Sequence, residues 1–273
     1  MGKRTHPYKQ RNDTQLFLPT EVYVLKLPHT TVIFGAGGGI GRATAHAFAS
    51  VGATVWAVDV KVDAANETLK QLNGTHYSAT VDVSDLKAVQ QFAQSIWQTQ
   101  VVDSVIYAPG LVFTANVANL EFCDYKRLMS VNLDGAFYVA QTFVKKMLEQ
   151  KRAGSFVFLS SMAGKRGEAG ASAYCASKFG LIGMVQSFAA EVAVNNIRVN
   201  AICPGNVNTP MLRKVAEDIA SNTGKNTDEV WQEMANIAAA ERLVEPEEIA
   251  QTCLWLCSPG ASAITGEAIN VDA

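Results

Sequence analysis

The strongest constraint on the fold is a short apolar run, Thr31–Phe34, that enters Gly35-Ala36-Gly37-Gly38-Gly39-Ile40-Gly41 and then a helix-forming stretch from Arg42. Glycine tolerates positive φ and lets another group approach the main chain, so such a turn can bring backbone N–H groups against a pyrophosphate at a helix N-terminus. The spacing is G-x-x-x-G-x-G on Gly35, Gly39 and Gly41, and the strict G-x-G-x-x-G pattern is absent. A tight strand-to-helix turn that binds nothing would use the same glycines. It is the strand–turn–helix context that points to a dinucleotide, with Gly35, Gly39, Ile40 and Gly41 as candidate binding residues.

Downstream, apolar runs alternate with helix-length periodic segments, the pattern of a parallel sheet covered by helices. Strands are predicted at Thr31–Phe34, Thr54–Val58, His76–Val81, Ser104–Tyr107, Ser155–Leu159, Arg198–Ile202 and Ala268–Val271. Helices are predicted over 40–50, 64–72, 85–98, 122–150, 173–194, 211–221, 227–238 and 247–257. Ser84, Thr227 and Pro246 stand where helices should start. Phe156-Val157-Phe158-Leu159 is apolar on both faces, as a buried parallel strand requires. The expected fold is a Rossmann-type, doubly wound α/β domain of about seven parallel strands over residues 29–273. Residues 1–28, basic and then apolar, read as an N-terminal extension.

Composition excludes several classes. With 23 basic against 25 acidic side chains the net charge is −2, which gives no electrostatic reason to expect nucleic acid or an anionic membrane. The longest uncharged run, Ile249–Gly266, is interrupted by Gln251, Pro259 and Gly260 and does not read as a membrane span. The N-terminus does not read as a signal peptide. Five cysteines at 123, 175, 203, 253 and 257 form no C-x-x-C pair, so reduced thiols in a cytoplasmic protein are expected. Cys253 and Cys257 share a helix face, but no histidine lies nearby in sequence to complete a zinc shell, and no metal site is expected.

Two regions carry chemistry. Asp59 ends the second strand, 18 residues after Gly41. A carboxylate there can accept hydrogen bonds from both ribose hydroxyls of an adenosine and would repel a 2′-phosphate, which favours NAD over NADP. Lys61, two positions on, would partly offset that repulsion. Asp82-Val83, after the third strand, is a candidate for the adenine edge, although a loop acid or helix cap reads the same way. Further along, Tyr174 and Lys178 stand four apart on one helix face, with Ser161 13 residues upstream of the tyrosine just past a buried strand. Ionising a tyrosine at about pH 7.5 costs roughly 3.4 kcal/mol. A nearby ammonium and an oxidised nicotinamide would both favour the phenolate, making it a usable base. A serine hydroxyl beside it can hydrogen-bond a carbonyl or alkoxide oxygen.

With these motifs in hand, the chain resembles the short-chain dehydrogenase/reductase family over residues 31–272. The family's glycine turn falls on Gly35, Gly39 and Gly41, and its catalytic tetrad on Asn132, Ser161, Tyr174 and Lys178. Its nicotinamide motif falls on Pro204-Gly205-Asn206-Val207-Asn208-Thr209. The resemblance implies Tyr174 as acid/base and Ser161 as the group that orients the substrate oxygen. Lys178 would hold the nicotinamide ribose and lower the tyrosine pKa, and Asn132 would bind a proton-relaying water. Ala108, Gly110, Pro204, Gly205, Val207 and Thr209 would line the cofactor, and a homotetramer is implied. Two departures stand out: Phe34 replaces a threonine that would tie the turn to a neighbouring strand, and Tyr107-Ala108-Pro109-Gly110 replaces Asn-Asn-Ala-Gly. Neither touches the four catalytic positions, so both read as tolerated substitutions whose cost would fall on cofactor binding.

The resemblance also implies hydride transfer between a nicotinamide and a secondary alcohol or ketone. The segment over about 207–241, carrying Met211, Leu212, Trp231 and Met234 and broken near Gly224, reads as a substrate lid. The lid resembles those of the family's diol and polyol dehydrogenases, and that resemblance, together with Asp59, implies a small polyol, diol or hydroxy acid, with 3-oxoacyl thioester reduction as the alternative. A catalytically silent NAD sensor would keep the fold, but the intact Ser161, Tyr174 and Lys178 argue against it. A Ser-His-Asp hydrolase is disfavoured further still, since there is no G-x-S-x-G elbow and no histidine after His76, which breaks the chain order such a triad uses.

Overall fold

The computed structural model describes residues 29–273, so the expected extension over 1–28 lies outside the described residues. Seven strands form one sheet: β1 Thr30–Phe34, β2 Thr54–Asp59, β3 Tyr77–Thr80, β4 Ser104–Tyr107, β5 Gly154–Leu159, β6 Ile197–Pro204 and β7 Ala268–Val271. Every pairing is parallel and the order is β3-β2-β1-β4-β5-β6-β7. The chain reverses direction across the sheet between β1 and β4. In doubly wound sheets, ligands bind in the crevice at the carboxyl ends of the strands flanking such a point.

The helices are α1 Gly39–Ser50, α2 Val62–Lys70, α3 Leu86–Trp97, α4 Phe122–Met129, α5 Gly135–Glu149, α6 Ser172–Val192, α7 Pro210–Thr223, α8 Thr227–Ala235 and α9 Pro246–Cys257. Successive strand residues point to opposite faces, and the two cores divide accordingly. Val32, Phe34, Val105, Tyr107, Phe156 and Phe158 pack under α3, α5 and α6. Ile33, Val55, Ala57, Ile106, Val157 and Leu159 pack under α1 and α9. Burying both faces is what makes these strands apolar throughout.

The predicted elements are all present, with differences at their ends. His76 falls outside β3 because its ring, through Nδ1, accepts from the Val55 N–H at 3.1 Å. The cap of α3 is Asp85 rather than Ser84: its carboxylate accepts from the amides of Lys87 and Ala88. The cap of α8 is Asn226 rather than Thr227, in a reciprocal capping box with Glu229, and Pro246 is the first helical residue after the Glu245 cap of α9. The single helix expected over 122–150 is broken by a π-helical turn, Ser130–Asp134, between α4 and α5.

Helices α7 and α8 share a small core of their own, built on Ala216, Ala220, Val230, Met234, Ala235 and Leu243. Gly224 ends α7 in a left-handed conformation, φ 72°, where the break was expected. Leu212, Trp231 and Met234 all pack within this unit, whereas Met211 is 47% exposed at the cleft.

Candidate active site

The glycine turn sits where β1 ends. Gly35 has φ +76°, and a Cβ there would lie 2.8 Å from the Pro109 nitrogen, so the β4 end presses directly on the turn. At Gly41 a Cβ would overlap the Gly35 carbonyl oxygen at 2.1 Å, which demands glycine. The opposite side of the turn is open: a Cβ on Gly38 would meet nothing within 4 Å, and one on Gly39 would meet only Thr209, at 3.4 Å. An open backbone surface at a helix N-terminus fits a dinucleotide pyrophosphate. Thr209 faces that surface as the N-cap of α7, its hydroxyl accepting from the Leu212 N–H at 3.3 Å. Gly205 donates to the Val271 carbonyl at 3.0 Å, and Val207 bridges to Val244, which fixes the segment after Pro204 beside the turn.

Asp59 stands at the carboxyl end of β2. Its carboxylate accepts from the Gly37 N–H at 2.9 Å and the Lys61 N–H at 3.0 Å, so it is oriented against the turn. Arg42, the other nearby cation, is committed to the scaffold: it donates to the Gly37 carbonyl and to Thr68 Oγ1, and Thr68 in turn donates to the Ala36 carbonyl. Lys61 is exposed. Asp82 is occupied by a local turn, its Oδ1 accepting from both the amide and the hydroxyl of Ser84, while Val83 is buried in the core.

Three of the four expected catalytic residues, Ser161, Tyr174 and Lys178, lie where β5 ends and α6 begins. Ser161 Oγ accepts from the Ala163 N–H at 3.1 Å, which leaves its own hydrogen free to donate. Burial holds the Tyr174 hydroxyl above its ordinary pKa, the Ser161 side chain counteracts this, and Glu168 adds to it. Lys178 is 3% exposed; its Nζ donates to the Leu159 carbonyl at 2.7 Å and lies 5.7 Å from the centre of the Tyr174 ring. Burial lowers Lys178 from 10.5 to about 8. A Cβ on Gly110 would stand 3.7 Å from this ammonium, so the loop after β4 closes over it.

Asn132 is fully buried in the π-turn, and its amide is committed to protein partners. Oδ1 accepts from the Leu111 N–H at 2.8 Å, and Nδ2 donates to the Leu111 carbonyl at 2.9 Å and to Ser177 Oγ at 3.0 Å. Ser177 donates onward to the Tyr174 carbonyl at 2.8 Å. Sequence reasoning missed Ser177, Arg42 and Thr68, because a polar side chain that serves only other protein groups carries no signal until its partners are known. The two departures turn inward. Phe34 and Tyr107 are register neighbours on β1 and β4, buried among Phe92, Phe143 and Phe158.

A family model described as enoyl-(acyl carrier protein) reductase matches residues 35–273. The 3-oxoacyl-[acyl-carrier-protein] reductase of Thermotoga maritima is 34% identical over 245 residues, covering 88% of this chain and 95% of the relative. The chain belongs to the short-chain dehydrogenase/reductase family. Solved members superpose closely. Actinorhodin polyketide ketoreductase with NADPH has a TM-score of 0.86 at 29% identity, covering 89% of this chain and 95% of that one. A Beutenbergia cavernae protein described as a putative NAD(P)-dependent gluconate 5-dehydrogenase, solved with NADP at low occupancy, has a TM-score of 0.80 at 30% identity, with 89% and 95% covered. The chain is thus a nicotinamide-dependent oxidoreductase acting on CH–OH groups. Among the described residues no helix is long and apolar enough to cross a membrane, and no group of three His, Cys, Asp or Glu could hold a metal.

Proposed function

We propose that this enzyme interconverts a small polyol, diol or hydroxy acid with its ketone, using NAD. The observation that carries the substrate reading is the charge of the cleft mouth. The cleft begins at Gly110, beside Lys178, and runs between the loop after β4 and α7 into an outer space of ≈ 270 Å³. That space is lined by Glu121, Asp124 and Asp218 together with Thr114, Asn119 and Asn222. The lysine lining the cleft, Lys214, is paired to Asp218 at 2.9 Å. Carboxylates and amides accept hydrogen bonds from hydroxyl groups, whereas an anionic carrier or its phosphate would meet like charge.

The cofactor reading rests on Asp59, oriented against the glycine turn, and on Arg42, whose guanidinium is engaged by the scaffold rather than turned toward a 2′-phosphate. When bound, the nicotinamide takes or returns the hydride. Tyr174 holds the proton that leaves or joins the substrate oxygen, Ser161 donates to that oxygen, and Lys178 lies beneath the ring of Tyr174 to favour its ionised form. Asn132 supports the proton relay by position, its amide bracing Leu111 and Ser177.

Four of the five cysteines are buried, and all five are unpaired, in keeping with a reducing compartment such as the cytoplasm. Phe137 and Phe179 are half exposed on α5 and α6, which supports a homo-oligomer, a tetramer by family resemblance.

A second reading, 3-oxoacyl thioester reduction, is favoured by the carrier-protein reductase at 34% identity. The deciding experiment is absorbance at 340 nm with NAD or NADP across polyols, diols and hydroxy acids, then with NADH or NADPH and 3-oxoacyl thioesters. NADH formation on a hydroxylated small molecule is expected. Turnover only of the thioesters, with NADPH, would overturn both halves of the proposal.

A further inference from the structure

Tyr107 stands where the family carries an asparagine, and its hydroxyl does something an asparagine could not reach to do. In the π-turn, the Gly135 N–H bonds back to the Ser130 carbonyl, five residues earlier. A regular α-helix would have given that amide to Val131. The Tyr107 hydroxyl donates to this Val131 carbonyl at 2.5 Å. Room for it depends on a glycine, because a Cβ on Gly135 would sit 2.6 Å from the Tyr107 oxygen. The ring is 1% exposed and is held by Phe34 and Phe158, with centroids 6.4 and 6.1 Å away, so the hydroxyl has little freedom to aim elsewhere.

We infer that Tyr107 is a positioning residue: it clamps the π-turn at Val131 and thereby sets Asn132, one residue on. From Asn132 the restraint passes by hydrogen bonds to Leu111, on the loop over Lys178, and through Ser177 to the main chain of Tyr174. The clamp requires the Tyr107 hydroxyl and the glycine at 135 together, while Phe34 is one of two aromatic rings packed beside Tyr107 and takes no part in the hydrogen bond. The inference rests on the reading of Asn132 and Tyr174 as proton-handling residues.

The test is Tyr107→Phe, which keeps the ring and removes only the clamp, with Phe34→Leu as the control that loosens the same aromatic cluster and leaves the hydroxyl in place. Tyr107→Phe should lower kcat by about tenfold or more, while KM for the alcohol and the affinity for NADH stay within about threefold. Its amides over residues 130–136 should exchange with deuterium faster, and those of β1 and β5 at the parent rate. Phe34→Leu should lower the melting temperature with kcat nearly unchanged. The inference is overturned if exchange over 130–136 is the same in Tyr107→Phe and the parent. It is overturned equally if Phe34→Leu loses as much kcat as Tyr107→Phe. The exchange measurement needs no substrate, so a failed substrate assignment leaves it standing.

Discussion

Lys178 should cost the protein stability, and the cost should depend on pH in a defined direction. The ammonium is 3% exposed, its hydrogen-bond partner is the neutral Leu159 carbonyl, and burial brings its pKa from 10.5 to about 8. That fall corresponds to about 3 kcal/mol. Below pH 8 the lysine is protonated in both folded and unfolded chains, so the full cost of burying the charge is present. Between pH 8 and 10.5 the unfolded chain binds the proton and the folded one does not, so stability rises with pH. Above 10.5 both forms are neutral and the cost is gone. Lys178→Met keeps the length and removes the charge, at the loss of one hydrogen bond worth about 1 kcal/mol. The variant should therefore be more stable than the parent by about 2 kcal/mol at pH 7. The gain should shrink from pH 8 upward and become a deficit of about 1 kcal/mol near pH 10.5. Urea unfolding of both proteins at fixed concentration, from pH 7 to 10.5, measures the difference, and other titrating groups cancel in the comparison. A difference that is flat across this range, or that favours the parent at pH 7, would refute the reasoning. The same variant should be inactive, so the residue that weakens the fold is one that chemistry requires.

Two further substitutions probe the site. Tyr174→Phe should lower turnover by about 10³-fold while NADH affinity, read by fluorescence titration, stays within about threefold; substantial remaining activity would mean that another group carries the proton. If Asp59 binds the cofactor as proposed, Asp59→Ala takes away the acceptors for the ribose hydroxyls and the charge that would repel a 2′-phosphate, so the ratio of kcat/KM for NAD to that for NADP should fall at least about tenfold. An unchanged ratio would show that Asp59 does not set cofactor choice.

What the sequence revealed follows from what is local. Phe156-Val157-Phe158-Leu159 reads as a buried strand because both of its faces meet apolar layers, and the glycine turn reads as a turn because Gly41 excludes a Cβ. Tyr174, Lys178 and Ser161 carry a spacing that survives without coordinates. The π-turn does not, because Ser130-Val131-Asn132-Leu133-Asp134 has nothing in its composition to distinguish it from the helix on either side. Its altered bonding is stabilised from outside, by Tyr107 on β4 and by the Leu111 backbone. The lid shows the same limit. Helical periodicity marked the apolar residues of α7 and α8 but could not tell that three of the four face each other and that Met211 alone meets the cleft. Helix caps slipped by one residue, from Ser84 to Asp85 and from Thr227 to Asn226, because adjacent oxygen-bearing side chains are equally good caps until the backbone direction chooses between them.

The departures at 34 and 107 are best understood as one change. The residues are paired in register, and both point into the same core, so a threonine hydroxyl beside the Tyr107 ring, or an asparagine amide beside the Phe34 ring, would be a buried polar group facing carbon. Together the two aromatics remove that conflict and form a cluster with Phe92 and Phe143. The turn and the β4 end no longer need a side-chain tie, since Ala108 donates to the Phe34 carbonyl at 3.1 Å and Pro109 packs against Gly35. The polar atom that remains, the Tyr107 hydroxyl, has moved to the far end of a longer side chain and meets the π-turn instead. The restraint has thus passed from the cofactor side of the site to the segment carrying Asn132. Restoring threonine at position 34 alone should therefore weaken the core without strengthening cofactor binding.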